Sequence, residues 1–392
     1  MLLLNEKKMS VQIQKSYMAK KAFWTVAIFY LLIAFEFLYM ASPFAVYFYS
    51  IYGPGLNFMN EKPALAWLSS YFLPHITVGT SSLLLDLHEP VGIGMAMLGF
   101  FAFCIGAIQV YYYKLFKKGA VTGGIYNFIR HPQYASLAIC SFGLLLLWPR
   151  YIVLLAFVAI LFVYFFLAKL EERECEERFG QSYIDYKNKT RMFLPIKGPG
   201  LNKLSRLPKS GLKRYMAVVG LYLLAAAVSI GLANGLKDYS LKRLYVLYTN
   251  EAAYISISKV EQDILKRIVA IALADQKVMT KLDGVKGKQT NKFLNYVIPT
   301  EWYVSEIPMK IVPDAKGGHY HPANYDKNSF KIVFTRVDLR TDKEVEGREL
   351  ILNVVKRTPI AEVKVDLAQN RVSEIADPAI TIKYENIPVA LY

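Results

Sequence analysis

The sequence predicts a multi-span α-helical membrane protein, with about five or six transmembrane helices and a C-terminal soluble α+β domain. Hydrophobic residues make up 54% of the 392 residues, and the mean hydropathy is +0.26. Both values are too high for an ordinary soluble protein. The apolar residues are also concentrated in long blocks before residue 237, whereas the later sequence has the composition of a soluble domain.

Five apolar blocks are predicted to cross the membrane, since a helical span needs roughly 20 residues. They are residues 22–51, 91–116, 134–148, 151–170 and 215–236. A sixth block, residues 63–85, contains Pro74 and His75 and is followed by Asp86. For this block a re-entrant or interfacial helix is the alternative to a crossing.

The distribution of basic residues predicts the orientation of these spans. Lysines and arginines are dense in residues 1–21, at the end of the 91–116 block and in residues 187–214. The positive-inside rule places all three in the cytoplasm only if residues 63–85 do not cross. The predicted domains are therefore a cytoplasmic segment 1–21, a transmembrane domain 22–236 and a domain 237–392 outside the cytoplasm.

The net charge of +16 does not require a nucleic-acid partner. The basic residues flank the spans and form no recognisable reading module, so attraction to anionic lipid accounts for them. The three cysteines, Cys104, Cys140 and Cys175, share no ligand-like spacing. Neither a zinc site nor a disulfide framework is predicted.

The region after residue 237 shows two kinds of periodicity. Residues 260–282 are predicted to form one amphipathic helix, and later segments such as SFKIVFTRVDL and IAEVKVDL are predicted strands. His319 and His321 would share one face of an extended strand, with Asp326 nearby. Metal binding is one interpretation of that spacing, but a surface loop is favoured and no metal is assigned.

The stretch GGIYNFIRHPQYAS, residues 123–136, places charged residues at a membrane boundary. Pro132 favours the first turn of a helix and an extended conformation at His131. Arg130 and His131 should therefore stand at a helix N-terminus, which attracts an anion.

A helical hairpin from Pro132 should return the chain to the same side at KLEERECEERFGQSYIDY, because Pro149 and Arg150 mark a turn between two apolar runs. The hairpin would bring two polar sets together across a shallow interfacial pocket. These sets are Arg130, His131 and Tyr134 on one wall, and Glu171, Glu172, Tyr183 and Tyr186 on the other. From residue types alone, lipid anchoring by the Arg-His pair and a solvated acidic helix remain open alternatives.

Residues 118–195 resemble the signature region of the isoprenylcysteine carboxyl methyltransferase and phospholipid methyltransferase superfamily. The first motif that carries the resemblance comprises Gly124, Tyr126, Arg130, His131, Pro132 and Tyr134. The second comprises Glu171, Glu172, Phe179, Gly180, Tyr183, Tyr186, Leu194 and Pro195.

The resemblance implies an integral-membrane methyltransferase that uses S-adenosylmethionine at the cytoplasmic face, with a membrane lipid or lipidated molecule as acceptor. The cofactor-binding residues that it implies are Lys118, Gly119, Ala120, Val121, Tyr126, His131, Pro132, Gln133, Tyr134 and Glu171. Arg130, Glu172 and Tyr183 are the expected catalytic residues, at the polar head of the acceptor.

One departure from the family pattern bears on the acceptor. Prenylcysteine carboxyl methyltransferases resemble this chain but carry an arginine where Leu167 stands. Burying a carboxylate without a cation is costly, so an amine or another non-carboxylate acceptor is expected.

Two other functions are kept as alternatives. NADPH-dependent sterol-type membrane reductases resemble this chain in a similar C-terminal ending, Gly-x-x-Tyr-x-x-Tyr followed by Ile-Pro. A non-enzymatic membrane anchor for the C-terminal domain is the second alternative. The acceptor, the partner of that domain and the oligomeric state do not follow from the sequence.

Overall fold

The computed structural model describes most of the chain after residue 60. The described ranges are 61–116, 119–194, 211–284, 292–315, 318–341 and 343–379, with a few isolated positions before them. The predicted cytoplasmic segment 1–21 and the predicted span 22–51 lie almost entirely outside the described residues, as do Lys118 and Pro195.

The chain folds into two compact units. The first contains His88–Trp148 and Val153–Gly231, and the second contains Phe37–Leu87, Pro149–Ile152 and Leu232–Tyr392.

Ten α-helices occur within the described residues, numbered in chain order. They are α1 (Pro63–Ser69), α2 (Leu83–Asp86), α3 (His88–Leu115), α4 (Pro132–Leu147), α5 (Tyr151–Phe179), α6 (Gln181–Lys189), α7 (Leu212–Leu241), α8 (Gln262–Ala274), α9 (Gln276–Asp283) and α10 (Arg348–Leu352).

Three helical segments of the described chain are long and apolar enough to cross a membrane. They are Leu83–Val110, Tyr151–Phe179 and Leu212–Leu241, of 28, 29 and 30 residues. Helix α4 is also apolar but shorter, at 16 residues. The five or six spans predicted from the sequence are thus matched in part, by three long helices.

Helices α3 and α4 of the first unit approach each other through glycine. A Cβ atom on Gly99 would lie 2.4 Å from the backbone nitrogen of Cys140, and one on Gly143 would lie 2.4 Å from that of Ala96. Neither position has room for a side chain, so the two backbones are in direct contact there.

A six-stranded sheet forms the centre of the second unit. The strands of this unit are β1 (Val246–Tyr248), β2 (Ala252–Ser256), β3 (Phe293–Pro299), β4 (Tyr303–Val304), β5 (His319–Tyr320), β6 (Ser329–Leu339), β7 (Val354–Asp366) and β8 (Arg371–Ala376). The order in the large sheet is β1-β2-β3-β6-β7-β8, and only the β2–β3 pair is parallel. Strands β4 and β5 pair separately.

The sheet is covered on both faces, which explains why every residue of β3 is buried. Leu294 and Tyr296 point into one core, and Phe293 and Val297 point into the other, which α8 covers. Alternate residues of a strand face opposite sides, so a strand with two covered faces reads as a continuous apolar run.

The prediction of a single helix over residues 260–282 is wrong in one respect, because the structure has two helices there, α8 and α9. Asp275 lies between them, in an extended conformation. Its side chain accepts hydrogen bonds from the backbone nitrogens of Lys277 at 2.8 Å and Val278 at 3.2 Å. An aspartate N-cap of this kind starts a new helix.

The 63–85 block is not one continuous helix. Helices α1 and α2 lie at its two ends, and residues 70–82 between them are not helical. Ile76 is buried in a core of the sheet, and the backbone nitrogen of Val78 donates to the carbonyl of Ile257 at 2.9 Å. This block is therefore an integral part of the second unit.

Candidate functional site

The polar start of α4 and the end of α5 meet in the first unit. Pro132 is the first residue of α4, and His131 precedes it in a non-helical conformation. The rings of Tyr134 on α4 and Tyr164 on α5 stack with their centroids 5.0 Å apart. Leu167 is buried in the same cluster. The hairpin therefore brings the two motifs together.

The chain after α6 fixes the backbone just before α4. The amide nitrogen of Arg130 donates to the carbonyl of Arg191 at 2.7 Å, and that of His131 donates to Met192 at 3.1 Å. These are strand-like bonds between segments far apart in sequence, and they set the direction in which both side chains leave the backbone.

Glu172 is fully buried among cations. Its carboxylate lies 2.8 Å from Arg130 Nε, 3.1 Å from Lys187 Nζ and 3.6 Å from Lys169 Nζ. Arg130 Nη1 also donates to the backbone carbonyls of Lys187, at 2.8 Å, and Thr190. A buried carboxylate requires such partners, since an unpaired charge is costly in the interior.

Glu171, the preceding residue, has the opposite exposure: 52% of its side chain is accessible. The Tyr134 hydroxyl donates to Glu171 Oε1 at 2.5 Å, and His131 Nδ1 lies 3.4 Å from Oε2. Two adjacent residues of a helix point about 100° apart, so one carboxylate enters the protein and the other stays accessible.

His131 lies between the two carboxylates, with only 7% of its side chain exposed. Burial opposes its charged form, but Glu171 and Glu172 outweigh burial and raise the pKa of His131 above its ordinary value of 6.5. Its Nε2 lies 3.6 Å from Glu172 Oε1 and makes no hydrogen bond within the described residues. That nitrogen is itself buried and faces the Glu172 carboxylate, so His131 links the buried glutamate to the accessible one.

Tyr126 is held near this cluster by a tight turn. The turn is a short 3₁₀ helix, Gly124–Asn127, and the Tyr186 hydroxyl donates to the carbonyl of Tyr126 at 2.7 Å. The Tyr183 ring lies 5.8 Å from that of Tyr186 and is buried.

Four other expected cofactor-binding residues lie before the 3₁₀ helix or in the first turn of α4. Gly119, Ala120 and Val121 lie between α3 and the 3₁₀ helix. The Gln133 side chain lies over Gly106 of α3, where an added Cβ would meet it at 3.1 Å.

Three members of this network were missed from the sequence. Lys187 in the last turn of α6 and Thr190 just after it contact Arg130 or Glu172 only because α6 packs back onto the start of α4. Gln109 Nε2 donates to the carbonyl of Gly123 at 2.5 Å. Gln109 did carry a signal, because it is the only amide or charged side chain between residues 90 and 113.

A second buried carboxylate lies in the other unit. Glu306 is 2.6 Å from His319 Nε2 and accepts a hydrogen bond from the Ser305 hydroxyl at 2.9 Å. Burial would raise the pKa of Glu306, but the charge of His319 lowers it to about 2. Burial and the neighbouring His319 lower the pKa of His321 to about 4.

The histidines of this second cluster do not assemble with Asp326, whose carboxylate instead accepts from the backbone nitrogen of Asn328 at 2.9 Å. In the part of the chain that the structure describes, no group of three or more histidine, cysteine or acidic side chains could hold a metal ion.

Comparison with known proteins identifies the region that contains the first cluster. No curated protein and no solved structure matches the chain significantly. The family model described as phospholipid methyltransferase matches residues 91–182, which is less than half of the chain. This match confirms the resemblance inferred from the two motifs and, with the long apolar helices, indicates an integral membrane protein. Residues 91–182 are therefore similar to the phospholipid methyltransferase family, which is a family of methyltransferases.

Proposed function

We propose that the protein transfers a methyl group from S-adenosylmethionine to a membrane lipid or lipidated molecule at the cytoplasmic face of the membrane. The observation that carries the proposal is the accessible Glu171 carboxylate, held by Tyr134 and His131 at the start of α4. It lies inside the segment that matches the phospholipid methyltransferase family.

The residues at this site fit the chemical groups of S-adenosylmethionine. Glu171 can accept hydrogen bonds from an amino group or from ribose hydroxyls, while the N-terminus of α4 suits a carboxylate. Tyrosine rings stabilise a sulfonium cation. Bound there, the cofactor would supply an electrophilic methyl group. The residues of this chain would position the acceptor and exclude water, which is what a direct displacement needs most.

The buried ion pair favours an indirect role for Arg130 and Glu172. Both groups form ion pairs or hydrogen bonds within the protein, and Glu172 is completely buried. Direct contact with the acceptor was expected from the sequence, but positioning of Glu171 and His131 fits this geometry better. Tyr183, also buried, would support Tyr186 and the turn that carries Tyr126.

The acceptor is proposed to carry an amine or another non-carboxylate group. Leu167 is buried against Tyr134 and Tyr164, so this wall of the hairpin offers no cation. The neighbouring Lys169 is directed to Glu172, at 3.6 Å. A neutral or cationic head would instead be attracted to Glu171.

The cytoplasmic location is supported by the composition of the second unit. Residues 61–87, the Pro149–Ile152 turn and the chain from Leu232 fold together in that unit. The positive-inside prediction puts all three outside the cytoplasm. A cysteine at Ser182 should then react with an impermeant reagent only from the cytoplasmic side, and one at Lys327 only from the other. Labelling of both from one side would contradict this topology.

The decisive experiment is incubation of the purified protein with methyl-labelled S-adenosylmethionine and a membrane lipid extract. Label should enter a lipid, and Glu171→Gln should weaken calorimetric binding of the cofactor by about 1.5–3 kcal/mol, as for a lost charge-assisted hydrogen bond. Glu174→Gln, at an exposed position of the same helix, is the matched control.

Each alternative predicts a different result. Methanol release from the labelled lipid in mild alkali would reveal a carboxyl methyl ester. That result would contradict the proposed amine acceptor but not the proposed methyltransferase activity. Binding of NADPH in place of S-adenosylmethionine would favour a reductase. A chain that binds neither cofactor would be an anchor for the C-terminal domain, whose partner is unknown.

A further inference from the structure

Gln109 is the only amide or charged side chain between residues 90 and 113 of α3. It lies in the Leu83–Val110 segment, which is long and apolar enough to cross a membrane. Polar side chains are costly in such segments and usually have a defined partner there. The partner of Gln109 is the carbonyl of Gly123, at 2.5 Å, in the segment that leads to Tyr126.

The turn fits closely around this amide. Gly124 has a φ of +61°, which favours glycine, and a Cβ atom there would lie 2.6 Å from Gln109 Nε2. On its other side, the carbonyl of Tyr126 accepts the Tyr186 hydroxyl. The turn is therefore held from α3 by Gln109 and from α6 by Tyr186.

We infer that Gln109 is a positioning residue for cofactor binding, an inference that rests on the proposed function. Gly123 lies between the two stretches expected to contact S-adenosylmethionine, residues 118–121 and Tyr126. A hydrogen bond to its carbonyl fixes both stretches relative to Glu171 and His131. Without this bond, the turn would have to be ordered by the cofactor itself, which would weaken binding.

The test replaces Gln109 by methionine, which has a similar length and no donor. The Kd for S-adenosylhomocysteine measured by calorimetry and the KM for S-adenosylmethionine should both rise about fivefold, the scale of one lost hydrogen bond. The kcat at saturating cofactor should stay within about twofold, since the carboxylate cluster is unchanged. Ile108→Ala, at an adjacent exposed position of α3, should leave the Kd, the KM and the kcat unchanged.

A second variant approaches the same contact from the turn. Gly124→Ala retains the Gln109 amide, but the added Cβ atom would displace this amide from the Gly123 carbonyl. The change should raise the same Kd and KM. An unchanged Kd, a fall in kcat alone, or loss of folding in both variants would overturn the inference. If the unmodified protein neither binds S-adenosylmethionine nor transfers its methyl group, the proposed function fails instead.

Discussion

The two units each bury a carboxylate beside a cationic partner, but they differ in what adjoins it. Glu172 is 0% exposed and is next to Glu171, whose side chain is 52% exposed. Glu306 is 4% exposed, and its described polar contacts, Ser305 and His319, lie in the same unit. In the first arrangement, the Arg130–Glu172 ion pair forms a buried frame that supports the accessible Glu171 carboxylate. The second joins β5 to the segment that follows β4.

The largest expected effect comes from breaking that frame. Arg130→Met would leave Glu172 buried without its closest cation, and it should lower the free energy of unfolding by about 3 kcal/mol. Lys187 still faces the carboxylate, so the loss of stability should be at the lower end of the range for breaking a buried ion pair. Thermal unfolding of the detergent-solubilised protein measures it. Arg173→Met, at an exposed position of α5, is the control, and equal effects of the two changes would refute a buried frame.

An intermediate effect is expected from the Glu306 pair. Glu306→Gln removes a charge-assisted hydrogen bond to His319 and should cost about 2 kcal/mol of stability. Because the pKa of Glu306 is depressed to about 2, its contribution is present above its ordinary value of 4.5 and is lost as pH falls through 2. Cofactor affinity should not change. If it fell, the assignment of a structural role to this pair would be wrong.

The smallest effect concerns the protonation of His131. Its raised pKa means that its contribution to stability is complete below pH 6.5 and is lost as pH rises through the raised value. The effect is small because burial offsets part of the attraction of the two carboxylates. Thermal unfolding midpoints, measured from below pH 6.5 to above the raised pKa for the unmodified protein and for His131→Gln, give the contribution of His131 to stability. Parallel pH profiles for both proteins would contradict the assignment.

The hairpin was predictable because local rules determine it. Pro132 fixes the start of α4, and two apolar runs separated by Pro149 return the chain to the level of Glu171. Those rules were sufficient to place Arg130 and His131 opposite the two glutamates. The family resemblance then gave the chemistry.

The rest depends on tertiary contacts that no local rule specifies. Sequence alone could not distinguish the exposed Glu171 from the buried Glu172, since which face of α5 is covered depends on Lys187 and on the return of the chain after α6. The 63–85 block was ambiguous for a similar reason. Its hydrophobicity reflects packing of Ile76 in a core of the sheet, which the span-length argument cannot detect.

The contact between α3 and α4 determines which substitutions the protein can accept. Gly99 and Gly143 face backbone atoms of the opposite helix, and backbone cannot rotate aside as a side chain can. Even alanine at either position would force the helices apart and disturb the start of α4. A Cβ atom added to Gly94, on the same helix as Gly99, would meet nothing within 4 Å, so this position should accept most apolar residues. In a saturation library, positions five residues apart on one helix would therefore show opposite tolerance.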